Sequence, residues 1–153
     1  MKKVLIALDL SPTAQKVAEI GFLLAKGMNA QTVLLHVVSD ETYYANLGNF
    51  PIMGFYGNEY FNSTTSTDLI IVAQQFLNKT KEHLGGINIE TMALQGDFAD
   101  VIMDTAKEQH ADIIVLGSHS RRWLEKILMG SVTEKVLHET TIPLFIIPTK
   151  NEQ

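Results

Sequence analysis

The residues best suited to chemistry lie between Asp112 and Leu137, where an apolar run leads into a polar loop and then into a helical pattern. Ser131 is the predicted N-cap of that helix, following Gly130, and Glu134 three residues later completes a capping box. The first N–H groups of a helix lack partners within the helix and carry the positive end of its dipole, so they attract anions. The spacing therefore predicts a phosphate site at this helix N-terminus, of the kind that a nucleotide fills.

The elements that must position this site alternate between strand and helix along the chain. The predicted strands are Val4–Leu8, Thr32–Val38, Ile87–Leu94, Ile113–Leu116 and Ile142–Pro148. The predicted helices run from Ser11 to Asn29 and from Ser66 to Leu84, with two more that open at Asp97 and Ser131. This order implies parallel strands joined by right-handed crossovers. The sequence therefore predicts an α/β fold with a five-stranded parallel sheet in three α/β/α layers, flavodoxin-like or Rossmann-like.

Two residues are predicted to meet at the carboxyl edge of that sheet. Ligands of open α/β sheets sit outside the strand carboxyl ends where the winding reverses, and the first and fourth strands are expected to lie near that point. Asp9 follows the first strand and Gly117 ends the fourth. The pattern therefore places an acid opposite the predicted anion site. Asp9 either approaches a nucleotide or its Mg²⁺, or only caps the turn that follows.

Residues 39–65 form an aromatic-rich insertion within a single predicted domain of residues 1–150, which a short tail at 151–153 follows. All four tyrosines lie in the insertion, and its glycines together with Pro51 are expected to break any regular element. Loops of this length are commonly lids or binding loops, and the aromatic content argues against disorder. The segment is predicted to be a lid or a packing surface, and we favour packing.

Composition excludes several classes of protein. The formal net charge of −5 gives no general attraction to nucleic acid or to an anionic membrane surface. The chain has no cysteine, so disulfides, thiolate catalysis and thiolate metal sites are excluded. Asp9 interrupts the first apolar run and no segment has the length of a membrane span, so we expect a cytoplasmic protein. The histidines lack metal-ligand spacing, and His36 is expected to be a core histidine.

The motifs of several enzyme classes are missing from the sequence. A receiver domain would end its third strand in a phospho-acceptor aspartate, but this strand ends in Ala93-Leu94-Gln95. The residues after the first strand do not match the hydroxyl-rich phosphate loop of flavodoxin, and neither a GxxxxGK[ST] loop nor a GxSxG elbow occurs. We therefore expect no positioned catalytic base, and at most slow hydrolysis of a bound nucleotide.

Residues 117–132 resemble the signature loop of the universal stress proteins. In nucleotide-binding members that loop reads Gly, two residues, Gly, nine residues, then Gly followed by Ser or Thr. Gly117, Gly130 and Ser131 stand at matching positions, and VLIALDLS and IPLFIIP are similar to the family's first and last strands. The resemblance covers essentially the whole chain except the aromatic insertion. It implies a fold of the adenine nucleotide α-hydrolase type and a stress-response or signalling role through binding of ATP, ADP or AMP, which a Mg²⁺ ion could accompany.

By this resemblance, the nucleotide site would be built from strand ends and from both ends of the loop. Ala7, Leu8 and Val38 would frame the adenine, and Asp9 would lie beside the nucleotide and act on a metal ion only indirectly. The residues implied around the ribose and phosphates are Leu116, Gly117, His119, Ser120, Arg121, Gly130, Ser131, Val132 and Thr133. Arg121 and Arg122 are either solvated loop residues, or one of them reaches a phosphate, and Arg121 is then preferred because it matches an arginine often found in the family's loop.

Two residues depart from the family's pattern, and they keep a second hypothesis open. Ser120 stands where nucleotide-binding members have their second glycine, and Trp123 stands where many members have another. If position 120 needs a left-handed backbone, a serine there costs about 1–2 kcal/mol, which is on the order of tenfold in affinity. The alternative is a family member that binds no nucleotide and acts as a dimeric interaction protein.

The last predicted strand is apolar throughout, from Leu144 through Phe145 and Ile146 to Ile147. We expect this strand at the edge of the sheet, where an unpaired strand is a template for pairing with another chain. Members of the family pair it with the same strand of a second copy. The sequence therefore predicts a homodimer, and it does not identify other protein partners.

Overall fold

The computed structural model describes residues 1–39, 51–56, 66–118 and 131–149. In chain order, the elements are β1 (Lys3–Ala7), α1 (Ala14–Gly27), β2 (Gln31–Val38), β3 (Pro51–Ile52), β4 (Phe55–Tyr56), α2 (Ser66–Leu84), β5 (Ile89–Gln95), α3 (Phe98–Glu108), β6 (Ile113–Gly117), α4 (Ser131–Glu139) and β7 (Leu144–Ile147). Five of the strands form one parallel sheet in the order β5-β2-β1-β6-β7. The predicted α/β fold with a five-stranded parallel sheet is confirmed.

The winding of the sheet reverses between β1 and β6. The chain moves outward from β1 to β2 and β5 on one side, and then crosses to β6 and β7 on the other. The order is that of the first five strands of a Rossmann sheet rather than that of flavodoxin. Core residues of α1 and α2 pack on one face of the sheet, and those of α3 and α4 pack on the other, which gives the predicted three layers.

The central strands are buried on both faces, which explains their uninterrupted apolar sequences. Val4 and Ile6 of β1 face α1 and α2, whereas Leu5 between them faces α3 and α4, and all three side chains are fully buried. Helix α1 lies very close to this core at Gly21, where a Cβ atom would stand 2.8 Å from Ile6 Cδ1 and 3.1 Å from Val115 Cγ1. In the parts of the chain described above, no helix has both the length and the apolar content that crossing a membrane requires.

Two helix starts differ from the prediction. Helix α1 begins at Ala14 rather than at Ser11, because the Ser11 hydroxyl bonds to the Asp9 and Thr13 side chains instead of capping the helix. Helix α4 begins at Ser131 itself, so Ser131 is its first residue rather than the residue before it, and Gly130 lies outside the described residues. Ser11 lies near a helix start and Ser131 begins a helix, but neither occupies the predicted N-cap position.

Part of the aromatic insertion is regular, contrary to the expectation that its glycines and proline would break any element. β3 and β4 pair as an antiparallel hairpin, and the two turn residues, Met53 and Gly54, have φ angles of 48° and 81°. Positive φ at both positions is what a type I′ turn requires. Phe55 is buried with its ring centroid 5.7 Å from that of Phe76 in α2. Ile52, Met53 and Phe55 therefore pack on the core. Residues 40–50 and 57–65 lie outside the described ranges.

Thr32 in β2 offers a test of the core. Its side chain is 1% exposed, and its Oγ1 has no hydrogen-bond partner among the described residues. Valine keeps the β-branched shape without the buried hydroxyl, so we expect Thr32→Val to raise the free energy of unfolding by about 1 kcal/mol in urea titrations. Thr80→Val is the control, because the Thr80 hydroxyl donates to the Phe76 carbonyl at 2.9 Å. A gain in the control as large as that of Thr32→Val would contradict this explanation.

Candidate functional site

The carboxyl ends of β1 and β6 border an open hollow at the point where the winding reverses. Its empty volume is about 620 Å³, which includes space open to solvent. The described residues that line it are Ala7, Leu8, Asp9, Thr13, Ala14, Val17, Leu35, Val37, Phe98, Ile102, Leu116, Gly117, Val132 and Thr133. The hollow therefore lies where ligands of doubly wound sheets bind.

The structure brings together most of the predicted site residues that it describes. The predicted residues that line the hollow are Ala7, Leu8, Asp9, Leu116, Gly117, Val132 and Thr133. Two described residues do not line it: Ser131 is exposed at the start of α4, and Val38 is fully buried on the opposite face of the sheet. Its neighbour Val37 lines the hollow instead. His119, Ser120, Arg121, Trp123 and Gly130 lie outside the described residues.

Asp9 is held at the edge of the hollow by the Ser11 hydroxyl, which the Thr13 hydroxyl supports in turn. The Ser11 hydroxyl donates to Asp9 Oδ1 at 2.6 Å, and 2.8 Å separates Ser11 Oγ from Thr13 Oγ1. A carboxylate only accepts, so the single hydroxyl hydrogen of Ser11 goes to Asp9, and Thr13 must donate to Ser11. Ser11 is only 4% exposed. The chain of hydrogen bonds thus fixes the direction of the carboxylate at the hollow, a role for Ser11 that its sequence position did not reveal.

The two ends of the predicted phosphate loop are both fastened at the hollow. The Thr133 hydroxyl, on a side chain 3% exposed, donates to the Gly117 carbonyl at 2.8 Å and so ties the first turn of α4 to the end of β6. The Ser118 amide donates to the Ile147 carbonyl at 2.9 Å, and the Thr149 amide donates to Ser118 Oγ at 3.0 Å. Gly117 is therefore held in place by α4, and Ser118 by β7 and the segment that follows it.

His36 supports the same edge of the sheet from within. Its side chain is 1% exposed, and its Nδ1 lies 2.7 Å from the Leu8 carbonyl oxygen, which can only accept, so Nδ1 carries the hydrogen and donates. Burial lowers the pKa of His36 from 6.5 to about 4, against the smaller opposing effect of the bond to Leu8. The neutral imidazole therefore anchors the backbone immediately before Asp9. The expectation of a core histidine is confirmed.

The N-terminus of α3 is fixed beside the hollow. Asp97 caps it as predicted, with its carboxylate accepting from the Asp100 amide at 3.1 Å. This bond is the main reason that the pKa of Asp97 lies below its usual range. Lys135 of α4 lies 3.5 Å from the Asp97 carboxylate and 3.2 Å from that of Asp100. These contacts join α4 to the first turn of α3, which begins with Phe98.

The donor set of the hollow fits a nucleotide better than a protein-bound metal ion. Aliphatic and aromatic side chains offer an apolar surface to a base, and Asp9 and Thr133 add polar groups at the edge. In the ranges that the structure covers, no three His, Cys, Asp or Glu side chains are grouped as metal ligands. Among the described lining residues, Asp9 is the one carboxylate. A Mg²⁺ ion bound mainly through phosphates and water would be compatible with a single carboxylate.

Several lining residues were missed by sequence reasoning. Thr13 and Ala14 lie within the predicted first helix, and Phe98 and Ile102 lie in the helix predicted to open at Asp97, but none of the four was assigned to the site. Val37 was missed for a different reason, because every residue of β2 from Thr32 onward is buried and no alternation marks the side that faces the hollow. Only the position of a residue near a strand end or a helix start could have indicated it.

Comparison with known proteins points to one family. Residues 1–148 match the model of the universal stress protein family, as the resemblance of the loop and its flanks predicted. A relative is the universal stress protein MJ0577 of Methanocaldococcus jannaschii, which is 29% identical, with 98% of this chain and 96% of that protein covered. A solved structure of MJ0577 superposes with a TM-score of 0.74 at 25% identity, and covers 99% of this chain and 98% of that one.

Two further solved structures share the fold with lower sequence identity. One is a universal stress protein in complex with cAMP, at 18% identity and a TM-score of 0.64, with 97% of this chain and 98% of that one covered. The other is the universal stress protein from Archaeoglobus fulgidus in complex with dAMP, at 18% identity and a TM-score of 0.61, with 96% and 98% covered.

Proposed function

Because the chain belongs to the universal stress protein family, we propose that its hollow binds an adenine nucleotide and that the protein serves a stress response or signalling without efficient catalysis. The observation that carries this proposal is the hollow itself, which lies at the reversal of the winding between β1 and β6. The two structural neighbours with cAMP and dAMP support an adenine nucleotide as the class of ligand.

The lining of the hollow suggests how such a ligand would lie. The base would contact the apolar side chains at the ends of β1 and β2, Ala7 and Val37, on the side of the sheet that α3 covers. The phosphates would lie toward Gly117 and the first turn of α4, whose N–H groups favour anions. The Asp9 carboxylate would accept hydrogen bonds from ribose hydroxyls or from the adenine amino group.

Binding itself is the direct test of the proposal. Equilibrium dialysis with ATP, ADP, AMP and cAMP, each with and without Mg²⁺, should show saturable binding of at least one nucleotide at one site per chain. Mass analysis of protein purified without added nucleotide would show a ligand retained from the cell. No binding of any of the four at millimolar concentration would refute the proposal and leave the interaction protein as the function. The cytoplasmic location stays a prediction.

A homodimer is a second proposal, which either function allows. β7 lies at the edge of the sheet and pairs with β6 on one side. Phe145 of β7 is 39% exposed, and the other residues of this strand are also apolar. An edge of this kind offers both unpaired backbone groups and apolar side chains to a second copy of the chain. We propose that β7 pairs with its counterpart in a second copy.

Phe145→Lys should prevent that pairing, because a charge placed in the strand would lie at the interface and lose its hydration. Light scattering coupled to size exclusion should give the mass of a dimer for the unaltered chain and that of a monomer for the variant. Leu23→Lys is the matched control, since it adds the same charge at an exposed leucine of α1 that is 68% accessible. A monomeric mass for the unaltered chain would refute the dimer.

A further inference from the structure

Among the described residues that line the hollow, Phe98 is the aromatic one. It is the first residue of α3 and is partly exposed, whereas the next residue, Ala99, is 2% exposed and belongs to the core. The ring packs beside the core cluster that α3 and α4 form with the sheet. Phe98 therefore adds an aromatic surface to the aliphatic side chains that line the hollow.

The backbone on the N-terminal side of Phe98 is held firmly. The Gly96 amide donates to the Val38 carbonyl at 3.0 Å, and Gly96 has a φ of 148°, a conformation that other residues rarely adopt. The Asp97 cap then fixes the first turn of the helix, and Lys135 ties that cap to α4. The ring at position 98 is thus carried on a backbone that is positioned before any ligand arrives.

A preorganised ring in an apolar wall is suited to a planar base. Aromatic rings prefer offset-stacked or edge-to-face contacts with other π systems, and such contacts add to the gain from apolar burial. Resting on the function proposed above, we propose that Phe98 contacts the purine of the bound nucleotide and thereby favours ligands with an aromatic base. Asp9 and the first turn of α4 would then hold the sugar and phosphates.

Isothermal titration with AMP, or with the nucleotide that binds best in dialysis, tests this assignment. We expect Phe98→Leu to weaken binding by about threefold to tenfold, because leucine fills similar space without a π system. Phe98→Tyr should restore most of the affinity. Phe22→Leu makes the same exchange on α1 at a ring packed against Gly86, and it should leave the affinity unchanged. Melting temperatures of all three variants separate a loss of contact from a loss of fold.

An NMR measurement on the unaltered chain makes the test independent of any variant's folding. Nuclear Overhauser effects between the Phe98 ring protons and adenine H2 or H8 are expected in the complex. Their absence, or an unchanged or tighter affinity for Phe98→Leu, would overturn the assignment while nucleotide binding stands. If the unaltered chain binds no nucleotide at all, the proposed function fails first, and the assignment fails with it.

Discussion

Ala7→Phe is expected to lower the affinity for an adenine nucleotide by about 10- to 100-fold. Ala7 ends β1 and lines the hollow on the side of α3 and α4. A phenylalanine there would fill the space that the base needs, so the base could no longer be buried in the hollow. Burying an aromatic ring the size of the base is worth about 1.5–3 kcal/mol. Loss of that contribution corresponds to the expected fold-change. Isothermal titration with the nucleotide found in dialysis measures it.

Ala7→Ser is the control for that variant, since it changes the residue without filling the hollow. The added ring of Ala7→Phe should not reduce the melting temperature, because it enters space that the fold leaves open rather than the close-packed interior. Unchanged nucleotide affinity in a folded Ala7→Phe protein would place the binding site elsewhere on the molecule.

The second large effect is a loss of stability in mild acid. The native pKa of His36 is about 4, whereas an imidazole in the unfolded chain has its ordinary pKa of about 6.5. As the pH falls from about 6.5 to 4, the unfolded state therefore takes up a proton that the native state does not. The free energy of unfolding should fall over this window by about 3 kcal/mol. Below it, the native imidazole also becomes protonated and this contribution levels off.

Urea unfolding at several pH values between 7.5 and 4 measures this slope. His36→Asn removes the titrating group and keeps a side-chain N–H that can donate to the Leu8 carbonyl, so the variant should be less stable at neutral pH but less sensitive to acid. His110→Asn is the control, because His110 is exposed and its φ of 54° suits asparagine. A variant at position 36 with the same acid sensitivity as the unaltered chain would show that other groups cause the effect.

The sheet and most of its helices could be predicted because their sequences are locally consistent. The predicted helix from Ser66 to Leu84 has the bounds observed, and Asp97 caps α3 as expected. Apolar runs bounded by Gly, Pro and Asn left few alternatives to parallel strands. The hairpin at residues 51–56 was missed because glycine and proline were interpreted as breaking structure, whereas a two-residue turn needs a residue such as Gly54 at positive φ.

The candidate site was harder to predict than the fold. Asp9 and Gly117 follow from strand ends and from the position at which the winding reverses, so both could be predicted. The choice between Val37 and Val38 could not, because a strand buried on both faces has no polar alternation to reveal its orientation. Phe98 belongs to α3, and it reaches the hollow because of the way in which α3 packs on the sheet. Its contribution depends on how α3 is placed over the sheet, which no local pattern specifies.

The hydrogen bond between the Thr149 amide and Ser118 Oγ means that the segment after β7 supports the start of the loop that follows β6. The two residues are 31 positions apart in the sequence. Proteolytic trimming back to Ile147 would leave the sheet's strands complete and yet take that amide from the residue that follows β6. The affinity of a truncated chain for the proposed nucleotide would thus show whether binding requires this hydrogen bond at the start of the loop.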